Sequence, residues 1–358
     1  MSNNFLACTP TVFIVEKHYE ILVCVKKNGL VRLLIDGKEV LEQNSGVLSS
    51  EKKVFKFKVN AKLLDKAKSY TVLYRQSIDR KSYWSIFGET KEQTFAFKPI
   101  SKDQDINAYM IADVHALYDL AYKTGTFFKN AVDLFIFNGD ICEVQSHKDY
   151  LKACAFIGKL TKGKIPCIYT RGNHDTRGRL PECFDLYFPC VNKNFFYTFE
   201  IGAICGVVLD FGEDKVDTHD VYRDANRFSE YRRKEYQWLK KVNLPDGKIK
   251  LAICHVCPVM TTFNKGDEFD IERPLYQKIN AQLERLNVDA MLCGHMHKAY
   301  MLYSGDEQNT LEHKYPVVVG SDPKNDFIGT AITITKNQIL VKFTDCNHKV
   351  IEQHTITL

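Results

Sequence analysis

Residues 165–175 read IPCIYTRGNHD, an apolar run that ends in a glycine, an amide, an imidazole and a carboxylate. The apolar part is typical of a buried strand, and Gly172 suits a sharp bend after it. Taken alone, Asn173 to Asp175 could be an ordinary polar turn, because Asn and Asp are common turn residues. A functional site is indicated only if other strands of the chain end in matching polar residues.

Four further apolar runs end in the same kinds of residue. They are INAYMIADVH (106–115), VDLFIFNGD (132–140), KIKLAICH (248–255) and VDAMLCGHMH (288–297). Ligands of open α/β sheets bind outside the carboxyl ends of the strands, so these ends are expected to share one crevice. The polar residues brought there are Asp113, His115, Asp140, Asn173, His174, Asp175, His255, His295 and His297.

The chemistry of this set indicates metal binding. Carboxylate, amide and imidazole groups suit Mn, Fe and Zn, and no thiolate is required. Without His174 and Asp175, seven candidate ligands remain, which are too many for one cation but fit two cations that share a bridging carboxylate. Two metal ions roughly 3.5–4 Å apart can clamp a phosphate and supply a hydroxide nucleophile near neutral pH. The pattern therefore predicts a binuclear hydrolase centre.

The blocks D-x-H, G-D, G-N-H-D, H and G-H-x-H, in this order, resemble the calcineurin-like metallophosphoesterase family over about residues 105–300. The resemblance implies an α/β domain of four layers, α/β/β/α, whose second sheet takes up the trailing strands. It also implies a role for each ligand: one metal on Asp113, His115 and His297, the other on Asn173, His255 and His295, and Asp140 as the bridge. In the same family pattern, His174 protonates the leaving oxygen or stabilises the transition state, and Asp175 holds its imidazole, although Asp175 could instead cap a backbone turn.

The first hundred residues differ in composition and pattern. They hold 17 Lys and Arg against 10 Asp and Glu, a net charge of +7, whereas the remainder holds 32 against 34. Short alternating runs such as KKVFKFKVN (52–60) predict an all-β sandwich over residues 1–100, followed by a catalytic domain over residues 101–358. The spacing of Leu64 and Tyr70 is similar to the tyrosine corner of fibronectin type III domains.

A β-sandwich before the catalytic domain resembles the layout of purple acid phosphatases. Those enzymes carry a tyrosine ligand three positions after the bridging aspartate, and this chain has Glu143 there. An obligate Fe(III) site with its charge-transfer colour is therefore not expected. Glu143 could reach a metal-bound water, but the preferred interpretation is that it favours the start of the next helix.

Substrate contacts are harder to derive. Arg171, Arg177 and Arg179 flank the turn and could bind phosphate oxygens, and Arg177 is the preferred candidate. The polar segment at 210–222 is long enough to be a binding lid. It could set specificity through His219 or Tyr222, or it could be an exposed insertion.

Twelve cysteines without a regular spacing favour free, buried thiols and a cytoplasmic protein. Cys254 and Cys257 lack a second CxxC for a structural zinc site. No secretory signal and no apolar run long enough to span a membrane are visible in the sequence.

The sequence thus predicts a hydrolase of phosphate mono- or diesters with two Mn, Fe or Zn ions. One alternative is a catalytically idle scaffold on the same fold. Another, not favoured, is a nuclease that docks an anionic polymer on the basic N-terminal region.

Overall fold

The computed structural model describes residues 5–42, 46–259, 266–307, 311–324 and 326–358. In these ranges the strands, in chain order, are β1 (Thr11–Val15), β2 (His18–Cys24), β3 (Gly29–Ile35), β4 (Lys38–Val40), β5 (Val54–Asn60), β6 (Ser69–Arg80), β7 (Ser85–Phe87), β8 (Lys91–Ala96), β9 (Ile106–Ile111), β10 (Leu134–Asn138), β11 (Cys167–Thr170), β12 (Tyr197–Ile201), β13 (Ile204–Val208), β14 (Ile249–Ile253), β15 (Ala290–Cys293), β16 (Tyr300–Leu302), β17 (Val317–Val319), β18 (Gly329–Ile334), β19 (Gln338–Thr344) and β20 (Val350–Thr357).

The helices of the same ranges are α1 (Ala61–Ala67), α2 (Tyr118–Gly125), α3 (His147–Thr161), α4 (Phe184–Tyr187), α5 (Phe228–Leu239) and α6 (Arg273–Arg285). Short 3₁₀ turns occupy Lys129–Ala131, His174–Thr176, Pro181–Cys183 and Asp220–Tyr222. No helix of the described residues is both long and apolar enough to cross a membrane.

Two sheets with helices on their outer faces confirm the expected α/β/β/α layers. One sheet has the order β20-β19-β18-β9-β10-β11-β1-β2-β5, and the other has the order β12-β13-β14-β15-β17-β16. The expectation that the trailing strands join the second sheet is wrong for β18, β19 and β20, which extend the nine-stranded sheet beside β9. Leu251 and Ile253 of β14 belong to the core between the sheets, whereas Ala252 and Cys254 belong to a second core under α5 and α6. This alternation follows from the two-residue period of a strand, which sends successive side chains to opposite faces.

The connections β9-α2-β10-α3-β11 make these three strands parallel neighbours. Their register pairs Ile111 with Phe137 and Asn138 with Thr170, so the three strands end at one level. Parallel strands joined by helices direct all their carboxyl ends to the same edge of a sheet. The segments that follow β9, β10 and β11 therefore meet there.

The N-terminal region is rich in β-structure, but one of its sheets is continuous with the rest of the protein. Strands β3, β4, β6, β7 and β8 form a separate sheet, while β1, β2 and β5 extend the nine-stranded sheet. The junction is a parallel pairing of β1 with β11, where Phe13 lies opposite Cys167. Hydrogen bonds thus cross residue 100, and the division into domains at that residue stays a prediction.

The prediction of a tyrosine corner at Tyr70 is wrong. In that motif the tyrosine hydroxyl bonds to backbone a few residues upstream. Here the buried Tyr70 hydroxyl donates to the carbonyl of Gly163, 2.9 Å away in the loop after α3. Tyr70 therefore attaches the N-terminal sheet to the α/β part. The spacing of Leu64 and Tyr70 consequently gives no support to a fibronectin type III domain.

The expectation of free cysteines is confirmed. All twelve are free, and eight of them are buried, including Cys254 and Cys257. The eight buried cysteines fill the core as small apolar side chains.

Candidate metal centre

The predicted ligands follow strands of two different sheets. Asp113 and His115 follow β9, Asp140 follows β10 and Asn173 follows β11, all in the nine-stranded sheet. His255 follows β14, and His295 and His297 follow β15, in the six-stranded sheet. The centre therefore lies where the carboxyl edges of the two sheets meet, and each sheet supplies part of the ligand set.

Glycines permit the close approach of these edges. Gly139 has φ +81°, and a Cβ on it would lie 2.3 Å from Nδ1 of His255. A Cβ on Gly172 would lie 2.1 Å from Oδ1 of Asp140. Real side chains do not tolerate such contacts, so the glycines of the G-D and G-N-H-D blocks are required for packing around the ligands.

The side chains converge on small groups that could hold ions. Oδ1 of Asp113 lies 3.4 Å from Nε2 of His297, and Oδ2 of Asp140 lies 3.7 Å from Nε2 of His115. The two Nε2 atoms of His115 and His297 are 3.1 Å apart. Within the described part of the chain, three sets have ligand atoms within 4.8 Å of one another: Asp113–His115–His297, His115–Asp140–His174 and Asp113–Asp140–His255.

His255 has the geometry of a metal ligand. Its ring is buried, and Nδ1 donates to the carbonyl of Asn138 at 2.7 Å, which leaves a lone pair on Nε2. That Nε2 has no hydrogen-bond partner among the described residues, although it lies 3.2 Å from Asp140 and 3.7 Å from Asp113. Buried polar atoms are normally satisfied, and a cation between these groups would satisfy this one.

The charge around His255 favours a cation. Burial alone would lower the pKa of His255, but Asp140 and Asp113 outweigh burial and raise it to about 10. Burial would raise the pKa of Asp140, but the imidazoles of His255, His174 and His115 hold it below its ordinary value. The buried carboxylates thus attract positive charge, which a proton on His255 or a bound metal ion can supply.

Asn173 and His295 form the other side of the cluster. Nδ1 of His295 lies 3.1 Å from Oδ1 of Asn173, and its backbone N–H donates to the carboxylate of Asp113. Burial, followed by the nearby His255, lowers the pKa of His295 to about 4. The imidazole of His295 is therefore neutral at pH 7, as metal coordination requires.

Several ligands have unusual backbone conformations. Asp113, His115, Asp140, His295 and His297 all have positive φ, between 42° and 72°. Such angles are uncommon for residues other than glycine and cost of order 1–3 kcal/mol each. Other residues of the chain also have positive φ, but five such angles among neighbouring ligands are typical of a functional site.

His174 lies at the edge of the cluster. Its side chain is exposed, and the centre of its ring lies 4.9 Å from that of His115. Its backbone N–H donates to Oδ1 of Asp140 at 2.9 Å. The ring is therefore close to the ligands while remaining accessible to a substrate.

Asp175 binds backbone rather than the His174 ring. Its buried carboxylate accepts the N–H groups of Gly172 (2.9 Å), Asp140 (3.0 Å) and Cys142 (3.4 Å). These contacts support the alternative of a turn cap, and none of them reaches the imidazole that the resemblance implied. Burial and the adjacent Asp140 raise the pKa of Asp175, while the N–H of Gly172 opposes that rise.

Asp175→Ala should therefore act mainly on stability. Loss of the carboxylate leaves three buried N–H groups unpaired, and each costs about 1–3 kcal/mol. We expect the free energy of unfolding in denaturant to fall by about 3 kcal/mol. The control Asp220→Ala, at an exposed position, should change it by less than about 0.5 kcal/mol. An Asp175→Ala protein with wild-type stability and a reduced rate would instead support the orienting role.

The three arginines separate into different environments. Arg171 is paired with the buried Asp210 at 2.7 Å and packs on the ring of Phe195, so it is structural. Arg179 is exposed. Arg177 alone approaches the cluster, with one guanidinium nitrogen 3.5 Å from Nε2 of His174.

The 210–222 segment is buried at residues 210–214 and at Tyr222, whereas residues 216, 218, 220 and 221 are exposed, so only its second half fits the exposed-insertion alternative. Glu213 is fully buried and pairs with Arg177 through both carboxylate oxygens, at 2.8 and 2.5 Å. Asp214 lies 3.7 Å from Nε2 of His295, and the Tyr222 hydroxyl donates to Glu213 at 3.0 Å. Sequence reasoning missed Glu213, because its partner is 36 residues away and no local spacing links them.

Glu143 does not support the helix start that was predicted for it. Helix α3 begins at His147, and the acidic residue of its first turn is Asp149. Glu143 is exposed and belongs to no group of possible metal ligands among the described residues.

Two facing sheets with a carboxylate, amide and imidazole cluster at their joined edges define an α/β protein with a candidate binuclear metal centre. The family model for calcineurin-like phosphoesterases matches residues 106–299, more than half of the chain. The chain belongs to that family.

Solved structures share the fold. Purple acid phosphatase PPD1 from yellow lupin (Lupinus luteus) seeds has a TM-score of 0.64 at 13% identity, covering 97% of this chain and 74% of its own. PhoD has a TM-score of 0.59 at 12% identity, covering 100% of this chain and 90% of its own. No curated protein sequence matches this chain. The full coverage confirms the expected likeness to the purple acid phosphatase layout.

Proposed function

We propose that the protein hydrolyses phosphate mono- or diesters with two bound metal ions. The observation that carries this proposal is the buried Nε2 of His255, which lacks a hydrogen-bond partner among the described residues and faces the carboxylates of Asp113 and Asp140. The ligand set fits Mn, Fe or Zn, and such ions would hold the phosphate and lower the pKa of water when bound.

In this proposal some residues of the cluster bind the metal ions and another transfers a proton. Asp113, His115 and His297 would hold one ion, Asn173, His255 and His295 would hold the other, and Asp140 would contribute to both. Exposed His174 gives a proton to the leaving oxygen, since an imidazole is suited to general acid catalysis near neutral pH. Asp175 fixes the turn that carries Asn173 and His174, through the backbone N–H groups of Gly172 and Asp140.

Turnover of a chromogenic phosphodiester beside the matching monoester, on protein reconstituted with Mn²⁺, tests the function. A diester preference would point to nucleotide, nucleic-acid or lipid diesters, and a monoester preference to a phosphatase. Metal analysis of the same sample tests the scaffold alternative, which fewer than one equivalent of bound metal would favour. A steep loss of polymer binding with salt would favour the nuclease alternative.

Arg177 is proposed to contact the phosphate with the nitrogen that faces His174, while Glu213 fixes its other two nitrogens. Arg177→Lys should raise KM for the ester roughly tenfold, nearly as much as Arg177→Ala, because an ammonium cannot pair with both oxygens of Glu213. Glu213→Gln should raise KM as well. The matched control, Arg179→Ala at an exposed position, should leave KM unchanged. Equal KM values for all four variants and wild type would exclude Arg177 from substrate binding.

The cytoplasmic location and the domain division at residue 100 stay predictions. They are compatible with the free cysteines and with the β-rich N-terminal region. Chain length after limited proteolysis would test the division.

A further inference from the structure

A cavity lined by lysines lies near the amino ends of β10 and β11, whose carboxyl ends lead to the metal centre. It has a volume of about 340 Å³ and lies between the ends of α2 and α3 and the starts of β10 and β11, where Phe135 and Ile165 line it. Phe135 to Asn138 is three residues of strand, about 10 Å, and this length separates the cavity from the turn that carries Asp140.

Four lysines line this cavity: Lys129, Lys159, Lys162 and Lys164. No acidic residue lines it, and none of the four lysines is ion-paired within the part of the chain that the structure describes. Lys159 is held in place by the ring of Tyr122, 3.8 Å from its Nζ. The nearby Asp133 is already paired with Lys98 at 2.7 Å. The cavity therefore concentrates positive charge without a protein counter-charge.

The negative ends of the helix dipoles offset only part of the positive charge of the four lysines. Lysines are favoured near helix C-termini, where each helix contributes the equivalent of about −0.5 charge. The ends of α2 and α3 together supply about −1 against four ammonium groups, which leaves about +3. All four lysine side chains are exposed, so water and salt screen much of their mutual repulsion, and an anion would be attracted most strongly at low ionic strength.

The cavity also has polar groups and the size of a ligand site. Thr126 and Asn130 line it and add polar groups beside the lysines. Ligand pockets have volumes of roughly 300–1,000 Å³, so this cavity exceeds the need of a single phosphate. Lysine ammonium groups are common phosphate ligands as point charges.

We propose that this cavity binds a small anion that carries two or more phosphate groups. The ligand occupies the space between α2 and α3, and Lys129, Lys162 and Lys164 neutralise its charge from the rim. The site is separate from the metal centre, and its existence does not depend on the proposed hydrolytic function.

Calorimetric titration of the metal-reconstituted full chain with inositol 1,4,5-trisphosphate tests the proposal. The triple variant Lys129→Ala, Lys162→Ala, Lys164→Ala should weaken binding roughly tenfold or more, and increasing salt should weaken binding to wild type. Lys159 is kept, because it packs on Tyr122. The charge-matched control Lys62→Ala, Lys66→Ala, Lys234→Ala changes three exposed lysines outside the cavity and should bind as wild type does.

Further measurements separate the cavity from the metal centre and from lipid. Hydrolysis of a small phosphate ester by the cavity triple variant should match wild type. Sedimentation with vesicles that contain phosphatidylinositol bisphosphate would assign the ligand to a lipid headgroup, and trisphosphate binding without sedimentation would assign it to a soluble anion. The proposal is overturned if the cavity variant binds as wild type does, if the control loses as much affinity, or if His295→Ala alone abolishes binding.

Discussion

His255→Ala should empty one metal position and reduce turnover of a phosphate ester by roughly 10³-fold or more, because a bound cation is worth several kcal/mol of charge stabilisation and each 1.36 kcal/mol is tenfold in rate. The ring of His255 is buried between Asp113 and Asp140, and its Nδ1 is committed to the carbonyl of Asn138. Alanine removes a buried imidazole whose Nε2 faces both carboxylates. The test is to measure the metal content of the variant by mass spectrometry and its rate of ester hydrolysis on the same sample.

His313 offers a matched control for this experiment. It is also buried, its Nδ1 donates to the carbonyl of Tyr315, and its Nε2 has no hydrogen-bond partner among the described residues. It differs in belonging to none of the possible metal groups found in the described ranges. His313→Ala should keep metal content and change rate only through stability. If His255→Ala also kept both metals and the wild-type rate, the assignment of the centre would be wrong.

His174→Ala should retain its metals and lose roughly 10²–10⁴-fold in rate, the usual contribution of general acid catalysis. Its ring lies 4.9 Å from that of His115, but its side chain is exposed and its backbone N–H, rather than its ring, binds Asp140. Removal of the imidazole therefore preserves the hydrogen bond that positions the turn. The loss should be smaller for esters with acidic leaving alcohols, because they need less protonation.

The control for His174 is His219→Ala. His219 is in the neighbouring 210–222 segment but directs its ring to Glu268 at 3.1 Å. That variant should keep the wild-type rate and the same dependence on the leaving group. Full activity in His174→Ala, or an equal loss across all leaving groups, would remove proton donation by His174 from the mechanism.

The ligand positions were predictable from the sequence because each follows an apolar strand. Buried parallel strands read as continuous apolar runs, and their carboxyl ends are where α/β proteins bind ligands. Asp113, Asp140 and His255 could thus be proposed without any knowledge of the fold. The glycines at 139 and 172 were readable as bends, although their close contacts with His255 and Asp140 were not.

Other features depend on contacts between distant segments and escaped prediction. The role of Asp175 depends on which N–H groups face its carboxylate, and Asp140 and Cys142 are more than 30 residues away. The pairing of Arg177 with Glu213 likewise joins two loops of different sheets. The parallel pairing of β1 with β11 could not be read from strand patterns, because an alternating strand does not specify its neighbour.

The sequence by itself determined the layered α/β class, the chemical type of the ligands and their order along the chain, since strand periodicity and residue chemistry are local properties. Only the tertiary structure decided that the ligands come from two sheets, that Asp175 caps a turn, that the N-terminal strands extend the main sheet, and that four lysines surround one cavity. These features are set by packing between segments far apart in the chain, where burial and hydrogen-bond satisfaction of the whole molecule select one arrangement among many that the local pattern permits.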